Sequence, residues 1–573
     1  MVRKDDIVYH TKLGRGVVDK VNTATGMASV MFDCDGFTKK GKRMKRGVHL
    51  FALKKDVKPL KPGWDGTIDQ LLNKKMITVD QSESLSNMLE SSDTESNDVG
   101  KEILSIKVET ALKEVLNSDQ INAFDSIMQY LNDETTPEAF VLKGYAGTGK
   151  TFLISRIIEY LGIVKRGYSI AVTAPTNKAV NVLKNNRNSD GIFQRDTYSN
   201  PQITYATIHK LLGLREQISA DGEQTFVTDK TSKNGLSGYK LLIVDETSML
   251  DDSLFEQIME YGDKVKIIFM GDPAQIPPVN ATDPIPFKDD HDFEFEIAEL
   301  NQIMRQKGEH AIVDHSFIIR DNLTVANPLP ELKTTIRDDG QGLIYLDSNI
   351  DRSKIVPLLN KYFNNNTFAN NPDYMKVIAW RNVTVNNMNN VVRKLIYGKD
   401  VGTFEKGDKM IANSPIFDLE NSEKVLFVTS EELIIVNIST KYVQYHIQGE
   451  TLNAKVYVLE VKASRRKGDR SYTIQVIHED SKRKYLLLLE MLKRRAARAR
   501  NVKMWKDFYE AKKWSAELAY NYAITAHKAQ GSSYENVLIL ENDLNLNRNI
   551  VERNRIKYTS YTRASNKLFI YRK

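Results

Sequence analysis

Residues 144–151 have the residue types and spacing of a phosphate-binding loop. They read Gly-Tyr-Ala-Gly-Thr-Gly-Lys-Thr and match the pattern G-x-x-x-x-G-K-[ST]. Glycines let the backbone N–H groups of such a loop turn toward phosphate oxygens at the start of a helix. In this pattern the lysine reaches the β- and γ-phosphates, and the final hydroxyl is a ligand of Mg²⁺. The predicted nucleotide site contains Gly144, Ala146, Gly147, Thr148, Gly149, Lys150 and Thr151.

The residues on either side of this loop predict the elements that hold it. Residues 139–142 form a short apolar run, and apolar residues recur at helical spacing from Phe152 to Leu161. A strand before the loop and a helix after it separate a nucleotide site from a chance glycine-rich turn. We therefore predict that this chain binds and hydrolyses a nucleoside triphosphate.

Two further groups of apolar runs predict two parallel sheets. The first group is at 169–173, 241–244 and 266–270, and the second is at 376–379, 537–540 and 568–571. Short apolar runs of this kind are typical of buried parallel strands. The predicted fold class is α/β, with functional side chains at the carboxyl ends of the strands.

Acidic and amide side chains follow several of these runs. Asp245 and Glu246 come directly after the run that ends at Val244. One carboxylate can hold Mg²⁺ and its neighbour can deprotonate the attacking water. Gln275, in a proline-rich turn after Met270, is an amide suited to sensing a γ-phosphate. Gln120 offers a donor and an acceptor to an adenine edge.

The length and composition favour an intracellular protein of several domains. The 573 residues exceed what one core can organise, and about three to five units are expected. The single cysteine, Cys34, excludes a disulfide framework. No apolar run reaches membrane-spanning length and no signal-peptide core is present, so we expect a cytoplasmic location and no membrane partner.

Charge patterning divides the chain. Residues 39–46 and 493–500 are strongly basic, whereas residues 80–98 are acidic and rich in serine. The acidic stretch has few large apolar residues and predicts a linker within 61–104. Residues 1–60 contain short β-branched runs and glycines, and their opening phrase resembles SH3/Tudor-like barrels. A folded adaptor of another kind remains an alternative for this module.

The ordered motifs resemble those of superfamily 1 helicases. After Gln120 and the phosphate loop come motifs around residues 173–179, 207–210, 245–246, 271–275, 304–306, 525–533 and 561–564. The set is similar to the 1B branch, which includes Dda-like and RecD-type enzymes, and it spans roughly residues 105–573. Residues 427–432 depart from the asparagine–glycine turn that RecD-like proteins usually have in that region.

The resemblance implies a role for each motif residue in the nucleotide site. Asp245 is the Mg²⁺ partner, Glu246 the catalytic base and Gln275 the γ-phosphate sensor. Arg305 and Arg563 reach the triphosphate from the second lobe, where an arginine is worth roughly 10³–10⁵ in rate. Gly531 links the nucleotide site to the DNA motif.

The resemblance also implies a path for single-stranded DNA. Sequence-independent binding needs phosphate contacts and stacking surfaces. The implied contacts are Pro175, Asn177, Lys178, Thr207, His209, Thr525, His527 and Lys528. An insertion at about 215–238 contains Asp221-Gly222, a hairpin signal, and is predicted to be a β-hairpin pin with Phe226 at the fork.

These inferences give a complete domain prediction. Two RecA-like motor domains are expected at 105–330 and at 331–437 with 519–573. Residues 438–518 are expected to form an SH3-like insertion with a single basic helical arm from about residue 486 to 517. Residues 1–60 or 438–518 would bind a single-strand-binding or replisome protein.

The leading functional prediction is an ATP- and Mg²⁺-dependent DNA helicase that moves 5′ to 3′ on single-stranded DNA and opens fork DNA. One alternative is a translocase that displaces proteins or remodels strands without productive unwinding. The other is an ATP-switched DNA-binding subunit of a recombination complex. RNA stays open as a substrate, because a stacking path discriminates the sugar only through local contacts.

Overall fold

The computed structural model describes seven strands between residues 7 and 59, as backbone, and residues 105–573 with gaps. The gaps are residues 107, 111, 134–137, 165–167, 177–178, 181–182, 184–202, 229–234, 279–282, 289, 303–310 and 465–469. The predicted linker at 61–104, and Asn177, Lys178 and Arg305, lie outside the described residues, as does the side chain of Phe226.

The chain divides into two compact units. The first is Met1–Asp125, Thr151–Ser169 and Arg187–Ile203, and the second is Ser126–Lys150, Ile170–Asn186 and Thr204–Lys573.

Within the first unit, residues 7–59 form β-structure. The strands are β1 Ile7–His10, β2 Gly14–Asn22, β3 Met27–Phe32, β4 Gly36–Phe37, β5 Arg43–Met44, β6 Gly47–Ala52 and β7 Lys58–Pro59. Five of them form one sheet in the order β6-β3-β2-β1-β7, with antiparallel neighbours. The runs that predicted strands in this module lie within β1, β2 and β3.

The phosphate loop leads out of the first large sheet. Its region contains β8 Ala139–Gly144, β9 Ile170–Ala174, β10 Ile203–Thr207, β11 Leu214–Ile218, β12 Gln224–Thr228, β13 Leu241–Val244, β14 Lys266–Gly271 and β15 Phe295–Leu300. The sheet order is β10-β9-β13-β14-β8-β15, and β9, β13, β14, β8 and β15 are parallel. Strands β11 and β12 form a separate antiparallel hairpin.

The remaining strands form a second parallel sheet and an antiparallel insertion. They are β16 Thr335–Ile336, β17 Gly342–Asp347, β18 Met375–Ala379, β19 Lys409–Ala412, β20 Ile416–Phe417, β21 Val425–Phe427, β22 Glu432–Ile447, β23 Glu450–Ala463, β24 Tyr472–Ile477, β25 Leu518–Tyr520, β26 Ala523–Thr525, β27 Tyr534–Leu540 and β28 Ala564–Arg572. The second sheet has the order β16-β17-β28-β27-β18-β26, and only its edge strand β16 pairs antiparallel. Two parallel α/β sheets were predicted, and both are confirmed.

Helices connect the strands. They are α1 Ser118–Asn132, α2 Lys150–Val164, α3 Ile208–Leu211, α4 Asp252–Met259, α5 Ala311–Asp321, α6 Ile355–Phe363, α7 Asn366–Asn370, α8 Asn382–Tyr397, α9 Glu479–Ala499, α10 Val502–Lys512, α11 Ala526–Ala529, α12 Glu541–Leu544 and α13 Ile550–Tyr561. Short 3₁₀ turns lie at Leu236–Gly238, Thr247–Met249, Ile285–Phe287 and Arg352–Lys354.

The insertion differs from its predicted outline in two respects. Its sheet, β24-β23-β22-β19-β25, takes in β19 and begins β22 at Glu432, so it extends beyond 438–518. The single helix predicted from about residue 486 to 517 is wrong, because the chain forms α9 and α10 instead. Arg500 breaks the helix in a left-handed conformation (φ 45°), and the Asn501 side chain then caps α10 by accepting from the Lys503 N–H at 2.8 Å. Asparagine favours such a cap, and the sequence carried that signal.

Buried apolar side chains join the two large sheets within the second unit. One core contains Ala274 and Ile276, which follow β14, together with Ile319 of α5 and with Ile556 and Tyr558 of α13. The loop after β14 therefore packs directly on helices of the second sheet. In the part of the chain that the structure describes, no helix is both long enough and apolar enough to cross a bilayer.

Candidate nucleotide site and DNA path

The phosphate loop is built around glycines that no other residue replaces easily. Gly147 and Gly149 have φ values of 85° and 83°, in the left-handed region. A Cβ on Gly144 would lie 2.9 Å from Lys150 Cγ and 3.0 Å from Thr148 Oγ1. The Lys150 ammonium donates to the carbonyls of Gly144 and, at 3.1 Å, of Tyr145. The Lys150 side chain therefore folds back onto the phosphate loop and binds its first two carbonyls. Thr151 follows as the second residue of α2.

The carboxylate pair lies at the same edge of the first sheet as the phosphate loop. Parallel register aligns Val244 with Thr173 of β9 and with Phe269 of β14, so Asp245 and Glu246 emerge where those strands end. The Asp245 N–H donates to the Thr173 carbonyl at 2.8 Å, and the Asp245 Oδ1 accepts from the Glu246 N–H at 2.8 Å. These bonds fix both carboxylates relative to the strand.

Glu246 stands out in both conformation and electrostatics. Its φ of 52° is left-handed, which costs a residue other than glycine roughly 1–2 kcal/mol. Burial raises the pKa of the Glu246 carboxyl, and the positive charges of Arg563 and Lys150 act against that rise. Burial likewise raises the pKa of Asp245, to which the charge of Glu246 adds. Such strain and perturbed ionisation concentrate at functional sites.

Gln275 lies in the loop that follows β14. Its Nε2 contacts Asp272 Oδ2 at 3.4 Å, and its Oε1 is buried with no hydrogen-bond partner among the described residues. The other oxygen of Asp272 accepts from the Ala274 N–H at 3.0 Å. A buried amide oxygen without a partner costs free energy, so this atom is suited to a ligand or a water molecule.

Arg563 reaches the carboxylate pair from the second sheet. It is buried, with its Nε donating to the Thr559 carbonyl at 2.8 Å and its Nη1 to the Ser532 carbonyl at 3.0 Å. Its Nη2 donates to Thr562 Oγ1 at 2.9 Å. The guanidinium is therefore held in one orientation, and its charge acts on Glu246.

Gln530 and Gly531 also connect the two sheets. Gln530 Nε2 donates to Ser248 Oγ at 3.2 Å and to the Ile276 carbonyl at 3.1 Å. A Cβ on Gly531, whose φ is 71°, would lie 3.6 Å from Glu246 Oε1. The segment after α11 thus lies against the carboxylate pair.

Gln120 has a structural role at the start of α1, and its contact with adenine stays a prediction. It is the third residue of α1, and its Oε1 accepts from the Asn117 N–H at 3.2 Å. The Asn117 Oδ1 in turn accepts from the Gln120 N–H at 2.9 Å. This reciprocal pair is a capping box at the start of α1. Gln120 and Thr151 belong to the first unit.

The predicted DNA residues of the first sheet lie where strands end. Pro175 follows β9, and Thr207 ends β10 and precedes α3. His209 lies in α3, and burial lowers the pKa of its imidazole, with Asp251 acting in the opposite direction. These residues occupy the end of the sheet that also presents Asp245.

The predicted DNA residues of the second sheet lie around α11. Thr525 ends β26 and its Oγ1 accepts from the Lys528 N–H at 3.4 Å. The Lys528 ammonium donates to Asn413 Oδ1 at 2.6 Å, and burial lowers its pKa. Burial also lowers the pKa of His527, against the charge of Glu552. Both side chains therefore have defined surroundings.

The hairpin of β11 and β12 docks on the helical arm of the insertion. Trp505 Nε1 donates to the Ala220 carbonyl at 3.0 Å, and the Tyr509 hydroxyl donates to the Gly222 carbonyl at 2.9 Å. Arg500 lies 3.2 Å from Asp221. A Cβ on Gly222 would overlap the Trp505 ring at 2.4 Å. The arm therefore holds the turn of the hairpin by its backbone.

Sequence reasoning did not find several residues that organise these sites. Tyr558 and Asp272 contact the nucleotide site, and Trp505, Tyr509 and Arg500 contact the hairpin. The only signal for the first pair was proximity to Arg563 and to Gln275 along the chain. Nothing in the sequence pairs the arm with the hairpin.

Comparison with known families follows the same division into two sheets. Residues 115–326 match the family described as an AAA domain, and residues 520–571 match the UvrD-like helicase C-terminal domain. The first match covers the phosphate loop and Glu246, and the second covers Arg563. The chain is similar to superfamily 1B helicases.

Two relatives match most of the length of this chain. The "ATP-dependent DNA helicase dda" of Enterobacteria phage T4 is 26% identical over 456 residues, which is 74% of this chain and 92% of the phage protein. An uncharacterised protein, R530, of Acanthamoeba polyphaga mimivirus is 26% identical over 505 residues, 79% of this chain and 99% of the viral protein. The solved structure of Pif1 helicase from Bacteroides in complex with ADP-AlF3 and ssDNA aligns with a TM-score of 0.39 at 17% identity, covering 79% of this chain and 92% of that one.

Proposed function

We propose that this chain is an ATP-dependent DNA helicase that moves 5′ to 3′ along single-stranded DNA and separates duplex DNA at a fork. The observation that carries this proposal is the convergence on Glu246 of groups from both sheets. The charge of Lys150 acts on its carboxylate from the first sheet and that of Arg563 from the second, and a Cβ added to Gly531 would lie 3.6 Å from its Oε1. Hydrolysis at Glu246 therefore depends on how the two sheets are placed relative to each other. This dependence couples ATP hydrolysis to movement of one sheet against the other.

The nucleotide chemistry follows from the side chains present. Lys150 would leave its contacts with the Gly144 and Tyr145 carbonyls and bind the β- and γ-phosphates. Glu246 would take a proton from the attacking water. Gln275 would donate to a γ-phosphate oxygen with its Nε2, and its unpaired Oε1 would accept a hydrogen bond from the attacking water. Arg563, and Arg305 by resemblance, would neutralise charge on the transferring phosphoryl group.

The residues also fit a magnesium ion. Asp245 is buried beside Glu246, and the two like charges raise the cost of ionising both, which a divalent cation would reduce. Thr151 and Asp245 would hold the ion, with the remaining ligands coming from the phosphates. A bound Mg²⁺ would supply charge neutralisation at the β- and γ-phosphate oxygens.

We assign the DNA path to strand ends of the two sheets. Pro175, Thr207 and His209 lie at the end of the first sheet, and Thr525, His527 and Lys528 lie on the second. Asn177 and Lys178 join this set by resemblance. The two groups of residues would bind the DNA strand alternately, in step with ATP hydrolysis. This alternation would move the protein along the strand.

We assign strand separation to the β11–β12 hairpin. A wedge must resist the force of an arriving duplex, and an isolated two-stranded hairpin is marginally stable. Here Trp505 and Tyr509 hold its turn from outside. Phe226, on the outgoing strand, would stack on a base at the fork, which is worth about 1–3 kcal/mol.

The accessory regions complete the proposal. Residues 404–520 would form the SH3-like 2B domain with α9 and α10 as its arm, and residues 1–60 would form a small β-barrel. The exposed basic side chains of α9, including Arg494 and Arg498, would add salt-dependent phosphate affinity. A single-strand-binding or replisome protein would bind through one of these two regions.

Unwinding assays test the proposal against its alternatives. A labelled strand annealed to a tailed template should be released with ATP, and not with ATP and E246Q. Release of a DNA-bound protein without strand release would favour the translocase alternative. ATP binding and DNA binding without turnover would favour the adaptor alternative.

A further inference from the structure

Tyr558 joins the phosphate loop to the loop that follows β14. Its side chain lies on α13, five residues before Arg563, and is fully buried. The Tyr558 hydroxyl accepts from the Ala146 N–H at 3.1 Å and donates to Asp272 Oδ2 at 2.7 Å. Burial raises the pKa of Tyr558 well above its ordinary value, so the hydroxyl keeps the proton that it donates.

The residue after Tyr558 extends the same connection to Arg563. Thr559 Oγ1 accepts from the Ile276 N–H at 3.2 Å, and the Thr559 carbonyl accepts from Arg563 Nε at 2.8 Å. Two consecutive residues of α13 therefore contact the phosphate loop, the Asp272–Ile276 loop and the arginine.

A second contact with the phosphate loop comes from the neighbouring helix α5. The Arg320 guanidinium lies over the Tyr145 ring, 4.1 Å from its centroid, and the Tyr145 hydroxyl donates to Glu299 at 3.1 Å. Helix α13 is joined to the end of α5 because Asn554 Nδ2 donates to the carbonyls of Leu323 and Val325, each at 2.8 Å. Both contacts thus come from one packed pair of helices, which also holds Arg563.

Phosphate and Tyr558 compete for the same donor. Backbone N–H groups of a phosphate loop donate to phosphate oxygens, and the Ala146 N–H has a single proton. A triphosphate that uses this proton displaces the Tyr558 hydroxyl, which retains its bond to Asp272. Filling the loop therefore changes what holds α13 in place.

We propose that Tyr558 is a positioning residue that couples occupancy of the phosphate loop to the placement of Arg563. With the loop empty, the hydroxyl ties α13 to the phosphate loop; with the loop filled, the hydroxyl keeps only its bond to Asp272, beside the Thr559 contact with Ile276. This inference rests on the proposed hydrolysis of ATP at the same site. It makes the Tyr558 hydroxyl a competitor of nucleotide binding and a requirement for turnover.

The variant Tyr558→Phe separates these two effects because it removes the hydroxyl and keeps the ring. ADP and a non-hydrolysable ATP analogue should bind about two- to tenfold more tightly, the range expected when one competing hydrogen bond is lost. The DNA-stimulated kcat should fall about tenfold or more, because the variant also loses the hydrogen bond to Asp272 that positions α13 and Arg563 when the loop is filled, while KM for ATP does not rise.

Tyr561→Phe is the matched control. Tyr561 is also fully buried on α13, and its hydroxyl donates to Glu541 Oε2 at 3.1 Å, away from the phosphate loop. Its loss should leave nucleotide affinity unchanged. Thermal unfolding of both variants measures the fraction of folded protein. A smaller folded fraction would lower the apparent kcat, but it would not make nucleotide bind more tightly.

The outcomes are distinct. Tighter nucleotide binding with lower kcat in Y558F, and neither change in Y561F, supports the inference. Unchanged or weaker nucleotide binding in folded Y558F, with an active wild-type enzyme, overturns it and leaves the proposed function intact. A wild-type enzyme that does not hydrolyse ATP refutes the proposed function instead.

Discussion

Gly222→Ala should detach the hairpin from the helical arm and uncouple ATP hydrolysis from strand separation. The new Cβ would lie 2.4 Å from two ring atoms of Trp505, at a residue whose φ is 88°. The left-handed conformation costs alanine roughly 1–2 kcal/mol. Overpacking against the ring adds about 1–3 kcal/mol. The combined penalty is about 2–5 kcal/mol.

The contacts that oppose this penalty are few. Two hydrogen bonds hold the turn, from Trp505 Nε1 to Ala220 and from the Tyr509 hydroxyl to Gly222, and each contributes about 0.5–1.5 kcal/mol net. The exposed ion pair of Arg500 and Asp221 adds little. Because the penalty is of similar size to these contributions or larger, the docked population of the turn should fall. A shift of 1.4 kcal/mol changes a population tenfold, so unwinding per ATP hydrolysed should fall about tenfold or more.

The assay compares unwinding of a forked duplex with single-strand-stimulated ATP hydrolysis on one preparation. Gly449→Ala is the matched control, since Gly449 lies in the β22–β23 turn with φ 78° and no atom within 4 Å of its added Cβ. It shares the backbone strain and lacks the clash. Adding Trp505→Ala to Gly222→Ala should make the defect no worse than Trp505→Ala alone. If G222A unwinds as efficiently per ATP as G449A, the docked hairpin is not the wedge.

Three further variants test the site itself. Glu246→Gln should keep nucleotide binding and lower DNA-stimulated turnover by on the order of 10² or more, because it removes the base; near-normal turnover would exclude Glu246. Arg563→Ala should lower kcat while single-strand affinity, measured by anisotropy, stays within about twofold, because the arginine acts on the transition state; parallel losses of both would indicate a structural role. Burial lowers the pKa of His527, so the unfolded chain binds this proton more readily and stability falls as the pH drops below about 6.5. In His527→Gln the decrease in unfolding temperature between about pH 7.5 and 5.5 should be smaller than in wild type, and an identical decrease would show that His527 does not contribute to it.

The nucleotide site was predictable because its signals are local. The phosphate loop is eight consecutive residues between a strand and a helix, and Asp245 and Glu246 follow an apolar run directly. Parallel strands align their carboxyl ends at one edge, so strand prediction alone brought these groups together. The same reasoning placed Gln275 after β14.

The contacts between distant segments were not predictable. Tyr558 meets Ala146 across 412 residues of sequence, and Trp505 meets Ala220 across 285. Such pairs depend on how complete helices and strands pack against each other, and the hydrophobic periodicity of the sequence does not encode that packing. The break in the helical arm had a local signal, Asn501, but the run of basic helix formers around it favoured one continuous helix.

Direction of movement is the measurement that tests the account most directly. Partial duplexes that differ only in a 5′ or a 3′ single-stranded tail should be incubated with the enzyme, ATP and Mg²⁺ under single-turnover conditions, with E246Q as the inactive control. The account predicts rapid release of the labelled strand from the 5′-tailed duplex and little from the 3′-tailed one. Release from the 3′-tailed duplex alone would contradict the assigned direction, and ATP hydrolysis without release from either would contradict the assignment as a helicase.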